Sequence, residues 1–180
     1  MQSENEDRRL VAAFLQTRSE TAFLAIYRRH TRNLYSLALR LLDGRTADAQ
    51  DVIQETWLWA MSSIHAFAWQ SSLRTWLCGF VVNCAREAIR RQTPTLEAPH
   101  ESTSAPQPSR DAAIDVRRAI ALLPEGYRTV IVLHDVQGFA HTEIAEMLGI
   151  EAGTSKSQLF NARRAMRSLM QGGSFEHSRR

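Results

Sequence analysis

The chain has 180 residues, 44% of them hydrophobic and 23% charged, with a formal net charge of +3. That balance excludes a fibrous or disordered chain, supplies the apolar surface for a packed core, and permits a polyanionic partner without demanding one. The length suits one medium domain or two small ones.

The opening residues, MQSENEDRRL, are polar and acidic with no apolar run behind a basic start, so they do not read as a secretory signal, and no later stretch approaches a membrane span. A cytosolic (cytoplasmic) protein without stable membrane insertion is expected. A short helix is expected over Asp7 to Gln16. Phe23, Ile26, Tyr27, Leu34, Leu37, Ala38 and Leu41 then mark a long helix that ends at the Asp43-Gly44 turn, and another runs from about Thr46 to Ile64. Within it, Asp51, Gln54, Glu55 and Leu58 fall at i, i+3, i+4 and i+7. This gathers two carboxylates, an amide and a leucine on one stripe, either to dock a basic protein surface or to stand as a solvated face. No His, Cys or Ser constellation surrounds the acids, so a paired-carboxylate enzyme is not expected.

HAFAWQSSLRTW is aromatic where a polar loop is expected. Phe67 and Trp69 sit between two helices, and exposed aromatics beside arginines suit stacking on unpaired bases, worth about 1–3 kcal/mol per base. Core packing is the competing reading for each ring, and the preferred one for Trp57 and Trp59. In SLRTWLCGFVVNCAREAIRR, Leu73, Trp76, Leu77, Phe80, Val81, Cys84 and Ala88 recur at helical steps, with Ser71 or Ser72 placed to cap the start. Trp76 and Asn83 lie nearly on one face. Cys78 and Cys84 point about 240° apart on such a helix, which fits small core residues rather than a disulfide or zinc pair.

From Gln92 to Arg110 the sequence holds four of the five prolines, is rich in Ser and Thr, and has no apolar period. This reads as a linker between two small domains. Beyond it, Ile114 to Leu122 forms one helix, Pro124 opens the next as its first residue, and Gly138 breaks it off. In HTEIAEMLG, Ile144, Ala145 and Leu148 share a face, Gly149 supplies a left-handed stop, and Thr154 is placed to cap the following helix. This is helix-turn-helix spacing. The second helix of that motif reads the major groove with its N-terminal residues, here Thr154, Ser155, Lys156, Ser157 and Gln158, and Lys156 is the only lysine in the chain. Arg163, Arg164 and Arg167 are placed to meet phosphates, while Leu159, Ala162, Met166 and Leu169 pack inward. A solvated arginine face on an ordinary helical hairpin is the competing reading.

The segments DAQDVIQETWLWA, SSLRTWLCGFVVNCAREAIRR, LPEGYRTVIVLHDVQGF and EIAEMLGIEAGTSKSQLFNARRAMR resemble, in order and across a linker, the signatures of bacterial RNA polymerase sigma factors of the extracytoplasmic-function (ECF) group. The resemblance runs from about Thr21 to Leu169. It implies an all-α fold of two helical domains, with an N-terminal domain over 1–91, a flexible linker over 92–110, a helix-turn-helix domain over 111–170 and a flexible tail over 171–180. It also implies a non-enzymatic function without cofactor or metal, namely binding core RNA polymerase, directing it to promoters and helping to open the DNA. Asp51, Gln54, Glu55 and Leu58 would then dock on core polymerase. Phe67, Ala68, Trp69, Gln70 and Ser71 would receive a base flipped from the melted non-template strand of the minus-ten element. Trp76 and Asn83 would help separate the strands, and Arg74, Arg86, Arg90 and Arg91 would contact the backbone. Thr154 to Gln158, with Arg163, Arg164 and Arg167, would read the duplex minus-thirty-five element. An anti-sigma factor is a further implied partner.

Five residues, in three places, depart from the family pattern. Ala68 and Trp69 stand where Arg and Gly commonly follow the loop phenylalanine, Ala140 stands where a serine cap is common, and Ser155 and Asn161 replace frequent Val and Arg. A helix-turn-helix regulator outside this family remains the alternative. His30, His65, His100, His134, His141 and His177 are scattered, and Gly138 interrupts any common helix for His134 and His141. Each is expected to be a solvated or core histidine.

Overall fold

The computed structural model describes residues 2–92 and 116–171, and all regular structure among them is helical. In the N-terminal half, α1 (Gln2–Thr17), α2 (Glu20–Leu41), α3 (Thr46–Ser63), a single 3₁₀ turn (Ile64–Ala66) and α4 (Leu73–Gln92) follow one another. Ser19 caps α2 by accepting the Ala22 amide at 3.3 Å. Asp43 and Gly44, both left-handed, turn the chain into α3 as expected. Ser72 rather than Ser71 caps α4, its Oγ accepting from the Thr75 amide at 3.0 Å.

α1 is longer than its apolar pattern suggested, and one buried acid anchors it. The Asp7 carboxylate accepts from Arg29 at 2.8 Å and meets His30 Nε2 at 3.1 Å, with Asp7 and His30 both almost fully buried. Burial holds His30 below the ordinary histidine value, with Asp7 pulling the other way. Leu34, Leu37 and Leu41 of α2, Val52 and Trp57 of α3, and Leu73, Leu77 and Val81 of α4 fill the core between the helices. Cys78 and Cys84 are buried thiols in that core, and burial pushes Cys78 up to about 12, which keeps it inert. Trp57 is buried as expected, whereas Trp59 is 60% exposed. Core packing therefore does not hold for Trp59, because two residues along a helix turn a side chain by about 200° and only one of such a pair can face inward.

The C-terminal half contains α5 (Val116–Ala121), α6 (Glu125–Ile131), a π-helical turn (Val132–Val136), α7 (His141–Leu148) and α8 (Ala152–Met170). Pro124 is the residue before α6 rather than its first. The π turn closes with the Gln137 amide on the Val132 carbonyl at 3.0 Å, and left-handed Gly138 ends it. Ala140 opens α7 without a side-chain cap, and Glu143 reaches back to accept from the Ala140 amide at 2.9 Å, the reciprocal half of a capping box whose first half an alanine cannot make. Left-handed Gly149 closes α7 as expected. The capping role expected of Thr154 is not found. Helix α8 starts at Ala152 after Glu151, so Thr154 already lies inside its first turn.

The two halves pack against each other. Arg74 of α4 donates to the carbonyl and side-chain oxygens of Gln137, each at 2.8 Å, and lies over the Phe139 ring. Thr75 donates to Glu143 at 3.0 Å, and Arg86 pairs with Glu125 at 3.4 Å. Arg128 reaches the Leu41 carbonyl and Asp43 at the end of α2. His100, His177, and all but the first residue of both the expected linker and tail lie outside the described residues.

Candidate nucleic-acid interface

A groove of about 700 Å³ runs between α1, α2 and α3, lined mainly by the aromatic and apolar side chains of Phe14, Phe23, Tyr27, Trp57, Leu58 and Met61. Trp57 is fixed there by its Nε1 donating to Thr31 at 3.1 Å and by an edge-on contact with Phe23. Gln54 and Leu58 line the groove, Leu58 being 67% exposed, and Asp51 stands exposed beside them. Glu55 is drawn instead toward α4, where Arg91 Nη1 approaches it at 3.4 Å. The expected stripe thus exists, but it forms the edge of an apolar groove whose other wall, from α1 and α2, sequence spacing within α3 could not reveal.

The segment after the 3₁₀ turn is an aromatic cluster. Phe67 packs on Trp69 at 4.7 Å and stacks on Trp76 at 4.8 Å and 27°, while Trp76 meets Phe80 edge-on. Trp69 has φ of 58°, a left-handed conformation unusual for a bulky residue, and Arg8 lies over its ring at 4.4 Å. Ala68 and Gln70 are exposed. Ser71, Trp76 and Asn83 line a smaller cavity of about 240 Å³ whose opposite wall is Glu143, Glu146 and Met147 of α7. Arg74, Arg86, Arg90 and Arg91 are all engaged: Arg74 by Gln137, Arg86 by Glu125, Arg90 by Glu87, and Arg91 by Glu55 and Glu87.

Along α8 the expected residues divide by helical phase. Thr154, Lys156, Ser157, Arg163, Arg164 and Arg167 are exposed. Ser155 is fully buried, in step with Leu159, Ala162 and Met166, and its hydroxyl bonds His141 Nδ1 at 2.9 Å. Gln158 turns toward Gly126 of α6. Arg163 grips Asp135 through both carboxylate oxygens at 2.6 and 3.0 Å, and this pairing holds the Asp135 carboxyl below its ordinary value. Phe160, one turn beyond Lys156 and 63% exposed, shares the open side of the helix. Its position out of phase with Leu159 was the available signal. His134 and His141, which sequence reasoning kept apart because of Gly138, stack at 4.5 Å. Gly138 breaks the helix, and the turn it creates brings the two rings together.

Two family descriptions match the chain in succession: Sigma-70 region 2 over residues 26–95 and Sigma-70, region 4 over residues 113–166. The ECF RNA polymerase sigma factor SigM of Mycobacterium tuberculosis is 34% identical over 171 residues, covering 93% of this chain and 86% of its own length. The ECF RNA polymerase sigma factor SigW of Bacillus subtilis is 28% identical, with 84% of this chain and 90% of the relative covered. Among solved structures, the sigma factor RpoE of Bartonella quintana, crystallised with the anti-sigma factor NepR, superposes with a TM-score of 0.66 at 23% identity over 83% of this chain and 96% of that one. CnrH in complex with the cytosolic domain of CnrY gives 0.67 at 23% identity over 94% and 99%. At such identities the two structures speak for the fold.

Proposed function

The chain belongs to the ECF group of RNA polymerase sigma factors and directs RNA polymerase to promoters, and from that premise we propose that it does so through three separate surfaces. The α1–α3 groove, edged by Asp51, Gln54 and Leu58 with Glu55 beside them, docks core RNA polymerase. The loop Phe67 to Ser71, with Trp76, Asn83 and the arginines of α4, takes the melted non-template strand of the minus-ten element and helps to open the DNA. The open side of α8, with Thr154, Lys156, Ser157, Arg164 and Arg167, reads the duplex minus-thirty-five element. The domains are assigned to 1–91 and 111–170 on the same basis.

The observation that carries this reading is the aromatic cluster at the start of α4. Trp76, half-buried and backed by Phe67, lines a small cavity with Ser71 and Asn83 that offers a base both an aromatic contact and hydrogen-bond partners, which offsets the few kcal/mol that flipping costs. An anti-sigma protein is a further partner, by analogy with the RpoE structure crystallised with the anti-sigma factor NepR, and the apolar groove is the surface suited to it. Titration of the purified chain against core RNA polymerase, followed by transcription from a pool of randomised promoters, tests the assignment. One-to-one binding with initiation at a shared two-part motif is expected. Duplex DNA bound by the chain alone, with no binding to polymerase, would replace this reading with that of a free-standing helix-turn-helix regulator.

A further inference from the structure

The stacked histidines form a cluster at the edge of the recognition helix. His134 lies in the π-helical turn and His141 is the first residue of α7, and their rings stack with an interplanar angle of 28°. Each has Nδ1 engaged, His134 with Asp135 at 2.8 Å and His141 with Ser155 at 2.9 Å. A carboxylate can only accept, so neutral His134 carries its proton on Nδ1 and presents Nε2 as a bare lone pair. About 30% of its side chain remains open.

The charges around the pair do not balance. Lys156 and Arg163 face it from α8, and Asp135, the acid that faces it from the π turn, is already shared with Arg163. From α4 the polar groups on this side are committed elsewhere, Arg74 to Gln137 and Thr75 to Glu143 of α7. Burial, then the charges of His134, Lys156 and Arg163, hold His141 below the ordinary histidine value, with Asp135 opposing them. An anion at this edge would offset the positive charges that disfavour protonation of His141. The first helix of a helix-turn-helix crosses the DNA backbone, so phosphates pass beside α7, of which His141 is the first residue.

We propose that His134 and His141 together make a proton-dependent contact to one DNA backbone phosphate beside the recognition helix, so that promoter binding takes up about one proton. The proposal rests on the promoter-binding reading above. Protonation turns Nε2 from a lone pair into a donor, giving a charge-assisted hydrogen bond to a non-bridging phosphate oxygen. Two stacked imidazolium rings repel, so one proton serves the pair.

The test uses holoenzyme formed from the full chain and core polymerase, and a fluorescent duplex carrying the promoter recovered from the randomised pool. Affinity is measured from about pH 5 to about pH 8.5 at fixed salt, a range in which the phosphodiester stays ionised and an imidazole can take up a proton on binding. The wild-type chain is expected to tighten by up to about tenfold per pH unit of acidification wherever binding takes up a full proton. His134→Gln with His141→Gln should match wild type at the alkaline end and lose the slope. His134→Gln alone, which can still hydrogen-bond Asp135, should flatten the profile and keeps the test valid if the double variant folds poorly. Equal slopes in wild type and variants overturn the proposal, as does a weakening of the variants by the same factor at every pH, which is the mark of a purely structural role. A holoenzyme that initiates at the promoter with no wild-type slope removes this contact and leaves the promoter reading standing. A holoenzyme that binds no promoter at any pH removes both.

Discussion

The faces of α4 and α8 are both assigned to nucleic acid, yet the fold keeps them in opposite states. On α4, Trp76 is stacked on Phe67, Arg74 is tied to Gln137, and α7 closes over the cavity shared by Ser71 and Asn83. On α8, Thr154, Lys156, Ser157, Arg164 and Arg167 stand open. The difference follows from what each face has to do. A pocket for a flipped base must be formed in advance, because unstacking already costs a few kcal/mol and ordering a loop would add to it. A groove-reading helix needs long, free side chains that settle on base edges and phosphates. The contrast also implies that α7 and the turn before it compete with a melted strand for α4, since the Glu143 carboxylate and the Gln137 oxygens occupy the donors that a nucleic acid would use.

The largest expected effect separates both faces from the docking surface. Asp51→Arg with Glu55→Arg places two cations where a basic partner surface is expected, and like-charge contacts cost several kcal/mol, so affinity for core polymerase should fall by about a hundredfold or more. Thermal unfolding should move little, because the Glu55–Arg91 pair it disrupts is solvent-exposed. Unchanged affinity in the polymerase titration would remove the docking assignment while leaving the comparison of the DNA faces intact.

Opening the closed face comes next. Gln137→Ala with Glu143→Ala deletes the side-chain acceptors that hold Arg74 and Thr75, each worth about 1 kcal/mol, so the free chain should bind a single-stranded minus-ten oligonucleotide roughly tenfold more tightly. Fluorescence anisotropy of a labelled strand reads this directly. An unaltered affinity would mean that α7 does not compete with the strand, and the contrast between the faces would be one of packing alone. A smaller effect is expected for Trp69→Gly. It relieves a left-handed backbone worth about 1 kcal/mol but removes ring contacts with Phe67 and Arg8 of similar size, so stability should hardly change. Single-strand binding should still drop about fivefold if the indole stacks on a base. A gain in stability with unchanged strand binding would make Trp69 a strained packing residue only.

Both helical halves, the Gly149 stop and the acidic stripe of α3 were legible in the sequence because apolar period and turn chemistry are local signals. What escaped was set by tertiary contacts or by helix phase. Trp59 and Trp57 share a residue type and differ in burial because their positions on α3 differ. Ser155 looked like a groove contact by its place after the turn, yet its spacing from Leu159 and Ala162 already put it on the buried stripe. The aromatic wall of the groove needed α1 against α2, and the His134–His141 stack needed the Gly138 turn, neither of which leaves a periodic trace.

The finest test sits on the open face. Lys156 is exposed one residue after buried Ser155, so truncating the two should separate binding from folding. Lys156→Ala in the holoenzyme should lower promoter affinity severalfold and reduce the slope of log K against log salt by about one, the value for one neutralised phosphate. Ser155→Ala should leave that slope alone and act through stability, since it empties the hydrogen bond to His141. Removing the lysine charge also removes one of the influences that depress His141, so the pH dependence of binding should move toward higher pH in the same variant. A salt slope equal to that of wild type would show that Lys156 touches no phosphate, and with the pH profile still displaced, would leave it acting only through its neighbour.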